Sequence, residues 1–187
     1  AVSYVYVGGL MDGVSDTLFD PDGTMTRAMV WAILARVDGE TVTGEDWIET
    51  AREWAVAEGV SDGENANGLV TREQFATMLW RYAGEPESDY ALSTYTDAAS
   101  VSSYALDAMR WAVENGIITA NAYSNYTATA TRAQFASILA AALPAEALTA
   151  INSVTALPDV AADAAYAPAA LSLYNAGVLT GSDSAGS

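Results

Sequence analysis

Cysteine, histidine and lysine are all absent from the 187 residues. Without a thiol or an imidazole there is no disulfide frame, no thiolate nucleophile, no Ser-His-Asp triad and no ordinary zinc or haem site. Most common enzyme chemistries are thereby removed, and no cofactor is expected. Without lysine, every side-chain cation is a guanidinium: Arg27, Arg36, Arg52, Arg72, Arg81, Arg110 and Arg132. These seven face 24 acidic residues, a formal net charge of −17. Such a field repels phosphates and anionic membrane surfaces, so no nucleic-acid partner is expected. No stretch supplies the roughly 20 apolar residues of a membrane span, which predicts no membrane insertion. The opening Ala1-Val2-Ser3-Tyr4 lacks the basic segment of a signal peptide; a secreted parent would have lost its leader. The lack of cysteine is compatible with a secreted Gram-positive-type protein, and with a cytosolic one.

What is present is enough to fold. The chain is 51% hydrophobic and 17% charged, well outside disordered composition. It also repeats itself. Thr26-Arg27, Thr71-Arg72 and Thr131-Arg132 each open an apolar-periodic segment: TRAMVWAILARVDG, TREQFATMLWRYAG and TRAQFASILAAAL. Met29, Val30, Ile33 and Leu34 recur at helical spacing in the first; Phe75, Met78, Leu79 and Tyr82 do so in the second, and Phe135, Ile138 and Leu139 in the third. Each threonine is a good N-cap, with Gln74 and Gln134 three residues on, where a capping-box partner belongs. Gly39 and Gly84 stand where a left-handed C-cap is wanted, and Pro144 stops the third helix.

A second element recurs upstream: AVSYVYVGGLMDG at the start, AREWAVAEGVSDG from Ala51, AMRWAVENGIITA from Ala108 and ALSLYNAGVLTG from Ala170. Aligned on Gly9, Gly59, Gly116 and Gly177, each reads as a short helix ending at glycine. Turn segments precede the later copies, at Gly44, Tyr95 and Leu157. The unit is helix, loop, helix. Repeat 1 spans 1–39 and lacks its opening residues, repeat 2 spans 40–84, repeat 3 spans 93–143, and the first half of a fourth spans 155–187. Segments 85–92 and 144–153 read as linkers.

These residues carry a family resemblance. GLMDGVSDTLFDPDGTMTRAMVWAILARVDG, with its FDPDG turn, Thr-Arg helix start and closing glycine, resembles the S-layer homology motif of bacterial surface proteins. YTDAASVSSYALDAMRWAVENGIIT and LPDVAADAAYAPAALSLYNAGVLTG resemble its opening half. The resemblance covers nearly the whole chain and implies an all-α fold: a pseudo-threefold trimer of repeats around a central three-helix bundle. It further implies grooves between repeats that hold secondary cell-wall polysaccharide, often through a pyruvylated amino sugar whose carboxylate meets the motif arginine. Carried over, the ligand arginines are Arg27, Arg72 and Arg132. Two departures stand out. The family's acidic residue three after the threonine is Met29, Gln74 and Gln134 here. The glycine-to-threonine spacing is 17 positions in repeat 1, 12 in repeat 2 and 15 in repeat 3, and only repeat 1 keeps the Phe19 to Gly23 turn. Groove 1, at Arg27, is therefore the expected site.

An arginine in a helix's first turn is electrostatically misplaced, because unpaired amides there already favour anions. Its threefold recurrence fits a guanidinium and free helix amides facing one carboxylate together. The alternative is that each arginine pairs with an acid of a neighbouring repeat, such as Asp12, Asp62 or Asp97, and positions the repeats. Trp54 and Trp111 could stack on sugars, but their spacing from Val56 and Val113 points to the core. Trp47 and Tyr104, at matching helix starts, are the groove-rim candidates; Trp31 and Trp80 are either core or rim. Asp20-Pro21-Asp22-Gly23 lacks the ligand ladder of a calcium loop and reads as a turn, so no metal site is expected. No carboxylate pair is flagged by spacing for glycoside hydrolysis, and the chain is read as non-catalytic.

Two functions follow. The first is an extracellular cell-wall anchor on the bacterial surface, binding wall polysaccharide or modified peptidoglycan. The second is a structural module that self-associates in a surface layer or appendage without glycan.

Overall fold

The computed structural model describes residues 22–94, 97–118, 128–143, 154–157 and 159–176. Among them are six α-helices and no named strand: α1 Arg27–Val37, α2 Trp47–Ala57, α3 Arg72–Tyr82, α4 Leu106–Glu114, α5 Arg132–Ala142 and α6 Ala167–Asn175. Three single 3-10 turns lie between α3 and α4, the last at Ser103–Ala105. The expected opening helix around Gly9, the Phe19–Pro21 part of the first turn, and the stops at Pro144 and Gly177 lie outside the described residues.

The expected caps form. Thr26, Thr71 and Thr131 accept from the backbone N–H of Met29, Gln74 and Gln134. Gln74 and Gln134 return the favour, their Oε1 accepting from the Thr71 and Thr131 amides at 3.0 and 3.1 Å. Met29 has no oxygen to do so, leaving α1 with half the box. Gly84 ends α3 at φ +84°, a conformation that L side chains rarely adopt. α2 begins at Trp47, as expected, while Tyr104 falls in the 3-10 turn just before α4, which begins at Leu106.

Each Thr-Arg helix packs on the helix that follows it in sequence: α1 on α2, α3 on α4, and α5 on α6. The connection from α1 to α2 is short, whereas α3 and α5 reach their partners across long segments, the one after α3 holding the three 3-10 turns. The three helix starts are then stitched to one another. The Arg27 N–H donates to the Gly68 carbonyl at 2.9 Å, Arg72 N–H to Ala128 at 3.1 Å and Arg132 N–H to Gly23 at 2.8 Å. Val70 N–H donates to Met25 and Ala130 N–H to Val70, at 2.9 and 3.0 Å. Isolated bridges accompany these bonds at Thr24 with Thr131, Thr26 with Leu69, and Thr71 with Thr129. The residues just before the caps, Met25, Val70 and Ala130, are fully buried, as are Val30, Phe75 and Phe135 one turn into the helices. The Phe75 and Phe135 rings stack at 4.3 Å. The core thus begins where three equivalent helix starts converge.

Candidate functional site

A groove of about 300 Å³ opens beside Arg27. One wall is a face of α3, on which Gln74, Thr77, Met78 and Arg81 stand at i, i+3, i+4 and i+7. The opposite wall is the turn after α2, Val60-Ser61-Asp62; Arg27 from the start of α1 and Tyr104 from the last 3-10 turn complete it. Residues from all three Thr-Arg repeats therefore meet at this place.

Arg27 is heavily engaged. Its Nε donates to the Glu64 carbonyl at 2.8 Å and its Nη2 to Ser61 Oγ at 2.8 Å. Nη2 also forms an ion pair with Asp62, and the guanidinium lies 5.4 Å from the Trp31 ring centroid. The arginine side chain is 13% exposed and its acidic partner 66%. The Asp62 carboxyl is held below its ordinary range, chiefly by the Glu64 N–H, then by Arg27 and the Ser61 hydroxyl, with burial opposing. Of the acids named as neighbouring-repeat partners, Asp62 meets Arg27, and Asp12 lies outside the described residues.

Tyr104 does stand at the rim, 52% exposed. Its hydroxyl donates to Glu73 Oε1 at 3.2 Å. Glu73 is 4% exposed and also accepts from the Ser102 N–H at 2.9 Å and the Ser102 hydroxyl at 2.7 Å. Burial first, and the Glu73 charge second, push the Tyr104 hydroxyl above the usual tyrosine range. Glu73 thus clamps the segment leading into α4 onto the start of α3. The repeat pattern concealed it, because the equivalent positions are Ala28 and Ala133.

The other expected site residues lie elsewhere. Arg132 is only 3% exposed, with Nη1 at 3.8 Å from Met25 Sδ, so it presents no guanidinium to this groove. Arg72 is half-buried and does not line the groove. Trp47 is half-buried against the core as the first residue of α2, away from the rim. Trp54 and Trp31 are buried, and Trp111 packs against the core. The Trp80 indole donates to the Pro86 carbonyl at 2.9 Å.

At α1, beside the groove, the helix-start amides are not free. At the start of α1 the amides of Arg27, Ala28 and Met29 donate to Gly68 O, Ala66 O and Thr26 Oγ1. Stitching and capping likewise occupy the Arg72 and Gln74 amides of α3 and those of Arg132 and Gln134 in α5. An anion here meets side chains rather than a helix terminus. Among the described residues there is no cluster of acids that could hold a metal ion, and no helix is long and apolar enough to cross a membrane.

Residues 94–124 match the family model for the S-layer homology domain. Over that stretch the chain is similar to an S-layer homology domain. The matched stretch runs from the approach to the Glu73 clamp through α4, the packing partner of the groove-bearing α3. S-layer homology domains are in general cell-wall anchoring modules of surface proteins. The chain is also similar to three curated proteins. An amylopullulanase of Thermoanaerobacterium thermosulfurigenes is 29% identical over 70% of this chain. An endoglucanase of a Bacillus species is 30% identical over 57% of it, and the exoglucanase XynX of Acetivibrio thermocellus 26% identical over 70%. The chain spans only 8%, 13% and 14% of these relatives' own lengths.

Proposed function

We propose that this chain is a non-catalytic, non-covalent anchor that holds a larger extracellular protein to the bacterial cell wall, binding an acidic wall glycan in the groove beside Arg27. A pyruvylated secondary cell-wall polysaccharide fits best, and modified peptidoglycan is the variant. The observation that carries this reading is the groove itself. In a chain of net charge −17 it gathers two guanidiniums, Arg27 and Arg81, against one carboxylate, Asp62. Tyr104, Gln74 and Thr77 add polar groups of the kind that meet sugar hydroxyls. The adverse net charge acts weakly, because charges beyond about 8 Å are screened at physiological ionic strength.

The cyclic bonding of the three helix starts supports a pseudo-threefold trimer of repeats, with grooves of unequal quality. Neither Arg72 nor Arg132 lines the groove described, so Arg27 and Tyr104 are the residues from the motif analysis that this proposal keeps. The test is a pull-down of the intact chain with fractionated walls, polysaccharide against peptidoglycan. Retention by the polysaccharide fraction is expected, and retention by neither removes the anchoring reading.

The ion pair of Arg27 with Asp62 favours a second reading, in which the arginines only brace repeats and the module self-associates in a surface layer. Sedimentation without glycan separates the two: concentration-dependent assembly would support the second, a monomer the first.

A further inference from the structure

We propose that Arg81, and not Arg27, receives the anionic group of the ligand, while Arg27 is a positioning residue that builds the groove wall. This rests on the reading of the groove as a site for an acidic glycan. Arg27 already spends its charge on Asp62 and its Nε and Nη2 on Glu64 O, Ser61 Oγ and that same carboxylate. For an incoming carboxylate to reach it bidentately, Asp62 must be displaced, although the Glu64 N–H also holds Asp62 at 3.0 Å. The Ser61–Glu64 turn would then lose one of its three ties to Arg27.

Arg81 is differently placed. It lies on the α3 face of the same groove, half-buried, and its guanidinium makes a long bond, 3.4 Å from Nη1 to the Val60 carbonyl. Ordinary N–H···O bonds centre near 2.9 Å, so this contact orients the guanidinium without consuming its fork. Among the described residues no acid lies within ion-pair distance of Arg81. Arg81 is therefore the surplus cation of the groove.

The repeats sharpen the assignment. Ten positions after each cap threonine stand Arg36, Arg81 and Ala141. Arg36 directs both Nε and Nη2 at the Val42 carbonyl, at 3.0 and 2.6 Å, and Ala141 has no charge. Of the three equivalents, Arg81 is the one that lines the groove beside Arg27. The ligand class is a saccharide bearing a carboxylate, such as an acid ketal or a uronic acid, with the ring against Tyr104 and the carboxylate toward α3.

The experiment uses the whole chain and two probes. One is carboxylated wall polysaccharide; the other is the same polysaccharide with its carboxylates reduced to alcohols. Isothermal titration calorimetry gives the affinity ratio between them for wild type, Arg81→Gln, Arg81→Met and Arg27→Gln. Wild type is expected to favour the carboxylated glycan about tenfold or more, the scale of one charge-assisted contact. Arg81→Gln should erase that preference and leave the reduced glycan bound as before. Arg27→Gln should weaken both glycans in proportion and preserve the ratio. Arg81→Met retains the apolar stem and decides the matter should the glutamine variant lose its helical circular dichroism. A wild-type ratio in the Arg81 variants, or a ratio erased by Arg27→Gln, overturns the proposal. Equal binding of both probes by wild type also overturns it but leaves glycan anchoring intact, whereas binding of neither removes the anchoring reading itself.

Discussion

Glu73 offers the sharpest test of how the repeats are joined. Replacing it by alanine removes a nearly buried carboxylate that accepts from the Ser102 N–H, the Ser102 hydroxyl and the Tyr104 hydroxyl. The two hydroxyls can turn toward water, since Tyr104 is 52% exposed and Ser102 half-buried. The Ser102 amide has no such freedom and is left as an orphan donor costing about 1–3 kcal/mol. Loss of an acid from the first turn of α3 adds about 0.3–1 kcal/mol. The carboxylate's own desolvation, relieved by the substitution, offsets part of this. The net loss is about 2 kcal/mol, which lowers the melting temperature by roughly 4–8 °C for a chain of this size. Glu73→Gln keeps one acceptor and should lose about half as much. Urea unfolding followed by circular dichroism measures both, with Tyr104→Phe as the control for the exposed hydroxyl. A loss under about 0.5 kcal/mol for Glu73→Ala would refute the clamp, because a surface acid behaves that way.

Phe75→Ala opens a cavity against Phe135 where the helix starts converge, and should cost about 3–5 kcal/mol in urea unfolding. A Val30→Ala change at the equivalent position removes less and should cost clearly under that. The tyrosine pH dependence has a definite sign. Tyr104 and Tyr82 both titrate above the usual range, through burial first and then through Glu73 and Asp38 respectively. The folded state therefore holds these protons more tightly than the unfolded one. Their contribution is complete below the unfolded tyrosine pKa near 10 and is lost as the pH rises above it. Thermal melts from pH 9 to 11 should show a decline that Tyr104→Phe reduces.

Much of the fold was legible because capping and periodicity act locally. Thr26, Thr71 and Thr131 start their helices as expected, with Gln74 and Gln134 closing boxes, and the buried faces contain Phe75, Leu79, Phe135 and Leu139. What local chemistry cannot carry is the pairing of remote carbonyls with helix-start amides. Free amides were expected at the three arginines, yet Gly68, Ala128 and Gly23, distant in sequence, take them. Some residues of the candidate groove were legible for the same reason. The Thr-Arg pairs single out Arg27, the helix start after Ser102 singles out Tyr104, and Asp62 is among the possible acid partners; all three line the one groove. Arg132 was expected at a groove because its motif matches, but its burial depends on what packs over it. Arg81 and Glu73 escaped the motif search, since neither has a full set of equivalents: Ala141 replaces one, and Ala28 and Ala133 the other.

The pairing of each Thr-Arg helix with its successor bears on how such modules are exchanged between proteins. A cassette cut at Gly39 would part α1 from α2 and sever the 3.2 Å bond from the Trp54 indole to Asp38. A transplant running from Thr26 to the residue before Thr71 would instead keep α1 with α2 and the Trp54–Asp38 bond intact. Crossovers that respect the packed helix pair, rather than the written motif, are those that leave this contact uncut.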